Sequence, residues 1–431
     1  MEKFFHSVTL DADKCLGCTN CIKRCPTEAI RVRDGKARII SERCIDCGEC
    51  IRICPHHAKK PVYDPLSMIE NYKYKIAVPA PSLYGQFSNL DDIDIVLSGL
   101  KLMGFDDVVE VAAAAELVSD ATRRYMSQAG VNKPVISSAC PAVVRLIRVR
   151  FPDLCDNVIP LEAPMEIAAQ TARKKAAEEH PELSQDDIGV FFISPCAAKV
   201  TAVKAPIGEE KSAVSGVLAI SAVFPELASK MAKVETPEPL SQAGIIGVSW
   251  AGTGGEASAL LREQYLAADG IENVINVLEG LEDEKFTDLD FIELNACSGG
   301  CVGGVLTVEN PYVAKARLKK LKKYLPVSGV HMESEEIPDE MKWSKELEFA
   351  PVLELSSDIS TAMQMMSRID EISKKLPGLD CGSCGAPSCR CLAEDVVRGE
   401  AKVSDCVFIL KKQVRTAASA LSSLGILGSD N

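Results

Sequence analysis

The run Cys15-x2-Cys18-x2-Cys21-x3-Cys25-Pro26 returns 29 positions later as Cys44-x2-Cys47-x2-Cys50-x3-Cys54-Pro55. Closely spaced thiolates in a turn can hold three corners of an iron–sulfur cubane. The fourth cysteine of each run, turned away by the following proline, reaches the other cluster. On this pattern Cys15, Cys18, Cys21 and Cys54 hold one 4Fe-4S cluster, and Cys44, Cys47, Cys50 and Cys25 hold a second. Zinc is the poorer match, because it prefers two cysteine pairs separated by a longer finger. The short alternating runs Ile30 to Val32 and Ala37 to Ile40 fit the small hairpins of such a fold.

This is the spacing of bacterial two-cluster ferredoxins, and the rest of the composition suits a reducing compartment. The chain has 18 cysteines in 431 residues. Its first residues, MEKFFHSVTLDADK, are too polar for a secretory leader. The most apolar window, Val108 to Val118, is interrupted by Glu110 and Glu116 and falls short of a membrane span. A cytoplasmic protein is expected, with cysteines serving as metal ligands or catalytic groups. A net charge of −13 disfavours nucleic acid or an anionic membrane as partner, since the cationic excess is missing.

Beyond Lys59-Lys60-Pro61 apolar strand-like runs alternate with helical ones. Strands are expected at Lys75 to Pro79, Pro134 to Ser137, Gly189 to Ile193, Gly244 to Val248 and Asp290 to Leu294. Helices are expected at Pro164 to Glu179, Glu256 to Ala267 and Pro311 to Tyr324. Such alternation predicts an α/β domain with mainly parallel sheets, whose ligands sit beyond the carboxyl ends of the strands. The basic run Lys315 to Lys323 reads as a solvated helix face. A polar helix near Met363 then leads to Cys381, Cys384, Cys389 and Cys406, a third iron–sulfur candidate. Cys391, just past a ligand, and Cys155 read as small buried apolar groups. Three domains are expected: an α+β two-cluster ferredoxin domain at 1–62, the α/β domain at 63–362 and a small iron–sulfur domain at 363–431.

The remaining cysteines of the middle domain lie in turns rich in Gly, Pro or Ser: Ser137-Ser-Ala-Cys140-Pro141, Ser194-Pro-Cys196-Ala-Ala-Lys199 and Glu293-Leu-Asn-Ala-Cys297-Ser-Gly-Gly-Cys301-Val-Gly-Gly304. Small residues let a backbone approach a bulky cofactor. In order and separation these segments resemble the three signature loops of FeFe (iron-only) hydrogenases. Trp250-Ala-Gly-Thr-Gly-Gly255 and Pro160-Leu-Glu-Ala-Pro-Met165 resemble that family too. The final cysteine unit resembles the iron–sulfur module of corrinoid iron–sulfur proteins, which recurs in a sensory branch of these hydrogenases.

The resemblance implies that Cys140, Cys196, Cys297 and Cys301 hold the cubane of an H-cluster. Cys301 would bridge it to a diiron unit carrying CO, cyanide and a dithiolate, and Lys199 would donate to a cyanide. Three additional 4Fe-4S clusters would relay electrons for 2H+ + 2e− to H2 and back. The implied partners are H2 and protons, a ferredoxin or regulatory protein, and the maturases that supply the diiron unit.

The chain departs from the family's catalysts at Ala139, where they carry the cysteine that passes protons; a methyl group cannot exchange one. Ser194 and Asn295 stand where methionines are common. These changes resemble the sensory branch and imply slow turnover suited to reporting hydrogen. Glu256 and Glu293 are candidates for a substitute proton path. Two plainer readings compete: Thr253-x-x-Glu256 is a capping-box pattern, and Glu293 could bond backbone amides. Two other functions stay open, a bidirectional metabolic hydrogenase and a non-catalytic electron-transfer or regulatory protein without the diiron unit.

Overall fold

The computed structural model describes residues 5–423. The chain forms two compact units that do not follow chain order. One comprises the residues up to Val8, Ile45–Gly48 and Pro61–Ala350; the other comprises Thr9–Cys44, Glu49–Lys60 and the chain from Pro351 onward.

The strands are β1 (Val8–Leu10), β2 (Ile30–Arg33), β3 (Lys36–Ile39), β4 (Lys59–Pro61), β5 (Tyr74–Pro79), β6 (Asp107–Val108), β7 (Val135–Ile136), β8 (Ile188–Ser194), β9 (Gly216–Ala219), β10 (Tyr265–Asp269) and β11 (Phe291–Asn295). In the larger unit, β6-β5-β8-β9 form one sheet and β10-β11-β7 a second. Every pairing within both sheets is parallel. All seven residues of β8 are buried. A near-continuous apolar run is what a parallel strand covered by helices on both faces requires. The helices Val111–Tyr125, Pro141–Arg150 and Pro164–Glu179 supply residues of the buried apolar clusters that cover the sheets, among them Val118, Val143, Leu146 and Ala169.

Two expected elements differ. The run Gly244 to Val248 is not a strand, and Ile245–Ser249 is a short helix. Ile245 N–H bonds the Pro326 carbonyl, and a Cβ on Gly247 would lie 2.0 Å from the Ala112 carbonyl oxygen. The segment is therefore pressed onto the helix Val111–Tyr125 rather than added to a sheet. A short buried apolar run carries no periodicity that separates the two outcomes. The helix expected over Glu256 to Ala267 stops at Ala259. Leu261 takes a left-handed φ of 55°, and the chain then enters β10 beside β11.

The smaller unit is built from both parts of the chain. The hairpin β2–β3 lies against the helix Cys389–Val397: Arg31 and Arg33 both bond Asp395, at 2.8 and 2.5 Å. Arg43 bonds Glu394 at 2.7 Å. Val32 N–H donates to the Gly385 carbonyl. Arg31 and Asp395 are buried, so this charged contact is desolvated and removal of either partner leaves an uncompensated charge.

Candidate metal centre

The central thiols are placed by the ends of parallel strands. Strand β7 runs into Cys140, which caps the helix Pro141–Arg150 with proline at its first position. Strand β8 runs into Cys196, which caps the helix Ala197–Lys204. A helix N-terminus offers partial positive charge to a thiolate. Strand β11 leads to Cys297 and Cys301. Here the glycines are needed: a Cβ on Gly304 would sit 2.0 Å from the Pro195 carbonyl oxygen, and Gly300 has a φ of 83° against the Thr253 backbone. The Cys301 loop thus packs tightly on the Cys196 loop.

The four sulfurs are close enough that neighbouring cysteines oppose ionisation of Cys196 and of Cys301. Cys196 is pushed far up, first by burial and then by Cys297, with Lys199 opposing and Cys140 and Cys301 adding to the rise. Cys301 is pushed up to about 12, chiefly by burial, with Lys199 opposing. Burial and the neighbouring sulfurs make Cys196 and Cys301 poorly suited to exist as free thiolates. The four thiols suit a cationic cluster core that takes all four, so the residues present fit the cubane that the sequence implies.

Beside them lies a cavity whose wall includes Ala139, Lys199, Glu256, Glu293, Asn295 and Cys301. Lys199 Nζ donates to the Ala139 carbonyl at 3.0 Å, tying the second loop to the first. Ser194 does not line this cavity: it is fully buried, and its hydroxyl accepts from Cys196 N–H at 3.1 Å.

The two carboxylates have separate tasks. Glu256 is buried and accepts from Ser137 Oγ at 2.8 and 2.6 Å through its two oxygens. Ser137 Oγ in turn accepts from Ala139 N–H. Burial, and then the charge of Glu293, raise Glu256 well above the ordinary carboxylate range. The expected capping box is absent. Thr253 bonds Asp269, Gly254 occupies the cap position, and Glu293 takes the capping role. Its Oε1 accepts from Gly254 N–H and its Oε2 from Ala257 N–H, both at 2.9 Å, and Asn295 donates to Oε1 at 2.8 Å.

A second cavity shares Lys199 and Met165 with the first and is walled by Ser138, Arg145, Glu162, Glu166 and Glu209. Glu162 is 5 % exposed and is raised to about 8 by burial, then by Glu166 and Glu209. Sequence reasoning passed over Glu162 and Ser137. Neither lies at a distinctive spacing; what marks them is a cavity and a partner 119 positions away.

In the smaller unit, Cys15, Cys18, Cys21 and Cys54 line one cavity. Cys25 accepts from Ala29 N–H at 3.1 Å. Cys44 and Cys50 belong to this unit, and Cys47 to the larger one, packed on the same apolar cluster as Cys140 and Cys196. Cys384, Cys389 and Cys406 gather around one small core, whereas Cys381 is exposed. Cys155 is buried in the core. Cys391 is buried too, but its thiol lies 2.8 Å from a Glu28 carboxylate oxygen.

The family model for the C-terminal domain of the iron-only hydrogenase large subunit matches residues 73–305. A 4Fe-4S dicluster domain matches 7–55, and a putative Fe-S cluster domain matches 376–408. Iron hydrogenase 1 of Clostridium pasteurianum is 25 % identical over 73 % of this chain and 68 % of its own. The periplasmic Fe hydrogenase large subunit of Nitratidesulfovibrio vulgaris is 26 % identical over 69 % of this chain and 86 % of its own. A solved FeFe-hydrogenase from Chlamydomonas reinhardtii, 15 % identical, overlaps 57 % of this chain and 84 % of its own with a TM-score of 0.42. No helix among the described residues is long and apolar enough to cross a membrane. Because the first of these models spans more than half of the sequence and takes in all four central cysteines, the chain belongs to the iron-only hydrogenase family.

Proposed function

We propose that the protein is an FeFe hydrogenase of low turnover that reports hydrogen rather than metabolising it. The observation that carries this reading is the convergence of Cys140, Cys196, Cys297 and Cys301 beside a cavity in whose wall Ala139 stands where the proton-passing thiol would be. When bound, the H-cluster would supply an open iron site where protons and electrons combine to H2 or H2 is split. Cys140, Cys196, Cys297 and Cys301 would hold it. Lys199, whose ammonium lies between the Cys196 helix and the Ala139 carbonyl, would complement anionic ligands. The cavity walls would exclude bulk water.

Proton handling then falls to Glu256. Its raised pKa lets it hold a proton at a carboxyl oxygen near neutrality, and the Ser137 hydroxyl can pass one to or from it. Glu293 would act mainly by holding the start of the helix that carries Glu256. Electron entry is supported by Asp46, between Ile45 and Cys47. Its Oδ1 accepts from Ser7 N–H at 3.0 Å and its Oδ2 from Thr201 Oγ1 at 2.7 Å, fastening this part of the second cysteine motif to the helix that begins at Cys196. The domain limits 1–62, 63–362 and 363–431, the three accessory 4Fe-4S clusters, the diiron unit with CO, cyanide and dithiolate, a cytoplasmic setting and a ferredoxin or regulatory partner belong to the same proposal.

Two measurements test it. Infrared spectra of protein matured with its diiron unit should show CO and cyanide bands; their absence in fully iron-loaded protein would leave only an electron-transfer role. Hydrogen production by E256Q should fall at least tenfold below wild type with cluster content unchanged. An unchanged rate would remove Glu256 from the proton path.

A further inference from the structure

The repeat in the cysteine motifs permits an internal comparison of the two sites. Backbone conformations recur at matching positions 29 apart: Glu28 and His57 have left-handed φ values of 51° and 49°. Ala29 N–H donates to the Cys25 sulfur at 3.1 Å, and Ala58 N–H donates to the Cys54 sulfur at 3.3 Å. The next residue differs sharply, being Ile30 after the first run and Lys59 after the second.

Lys59 is 3 % exposed. It lines the same cavity as Cys15, Cys18, Cys21 and Cys54, and its Nζ has no hydrogen-bond partner among the described residues. A buried ammonium without a partner is costly to hold. The cost is removed if the cavity holds an anion, and a 4Fe-4S core on four thiolates is a dianion or trianion with sulfur acceptors. At the matching position Ile30 is 2 % exposed and apolar.

We infer that Lys59 is the built-in counter-ion of the cluster on Cys15, Cys18, Cys21 and Cys54, and that it sets this cluster at a higher reduction potential than its repeat partner. Reduction adds one electron to an anionic cluster, so a neighbouring positive charge favours the reduced form and a carboxylate disfavours it. The first cluster is then the place where electrons collect, and the cluster containing Cys47 is the more reducing station. Lys59 is a tuning residue and takes no part in bond making.

The inference rests on the ligand assignment given above, and the two fail separately. Iron and sulfide content together with the spectrum of the reduced protein test whether the ferredoxin motifs are loaded. A redox titration followed by electron paramagnetic resonance, on the full chain, tests Lys59. In K59M one wave should shift so that its reduced-to-oxidised ratio at fixed potential falls at least tenfold, which is about 59 mV for one electron. The other waves should stay in place, K59R should restore the original, and I30K should raise a different wave. Unmoved waves in a fully loaded K59M would overturn the inference. If K59M fails to load this cluster, rescue of loading by K59R supports the counter-ion role, and failure of K59R as well assigns Lys59 to packing alone.

Discussion

Replacing Glu293 by alanine should weaken the larger unit far more than replacing Glu256, although both are buried acids of the same cavity wall. Glu293 accepts three hydrogen bonds, two from backbone N–H groups of Gly254 and Ala257 and one from Asn295. Truncation leaves two amides of a buried helix start unpaired, and each costs about 1–3 kcal/mol. The desolvation already carried by the carboxyl group, seen in its raised pKa, offsets part of this. The net loss should be about 3–5 kcal/mol, a large share of the roughly 5–15 kcal/mol that holds a typical domain together. Glu256 is satisfied only by the Ser137 hydroxyl among the described residues, so E256A should cost no more than about 1–2 kcal/mol.

Both tryptophans of the chain, Trp250 and Trp343, lie in the larger unit. Denaturant unfolding of the metal-free protein followed by tryptophan emission therefore reports that unit alone, without assuming that the whole chain unfolds in one step. E293Q should fall between wild type and E293A, since an amide keeps one acceptor oxygen and turns the other position into a donor facing an N–H. A loss below about 1 kcal/mol for E293A, or a larger loss for E256A, would refute the assignment of Glu293 as the cap.

Two further outcomes follow from the cavity walls. A139C places a thiol where the wall is now a methyl group and should raise hydrogen turnover at least tenfold with the clusters intact; no gain would mean that proton delivery at this position is not limiting. Glu162 has a pKa raised to about 8 against a usual 4.5, so the folded unit binds more protons than the unfolded chain between those values. Its stability should therefore fall as pH rises from about 4.5 to about 8 and level off above. E162Q should make this fall shallower, with the raised Glu256 keeping its own share, and gain up to about 4 kcal/mol over wild type at pH 8.5. Parallel stability curves for the two proteins would exclude Glu162 as the source.

The cysteine turns were legible in the sequence because metal binding imposes spacing: thiols that share a cubane must lie in short turns or at strand ends, and glycine must stand where loops meet. The parallel strands were legible for a similar reason, since Ile188–Ser194 must be apolar along its whole length to be covered on both faces. Gly244 to Val248 was not, because its partner is the backbone of another helix. The carboxylates show the same division more finely. A capping box is a local rule, and Thr253-x-x-Glu256 satisfies it, yet Thr253 bonds Asp269 and the cap comes from Glu293, brought in by β11 from 36 residues beyond Ala257.

That exchange bears on function. Had Glu256 turned back to cap its own helix, the cavity beside Ala139 would hold no carboxyl group free of backbone duties. Because Glu293 supplies the cap, Glu256 faces a hydroxyl instead of an amide, and a hydroxyl can donate a proton as well as accept one. The loss of a thiol at Ala139 and the presence of an acid at Glu256 are thus linked through a residue that performs neither task. The proposed substitute proton path would depend on Glu293 as a support and on Glu256 as the group that exchanges the proton.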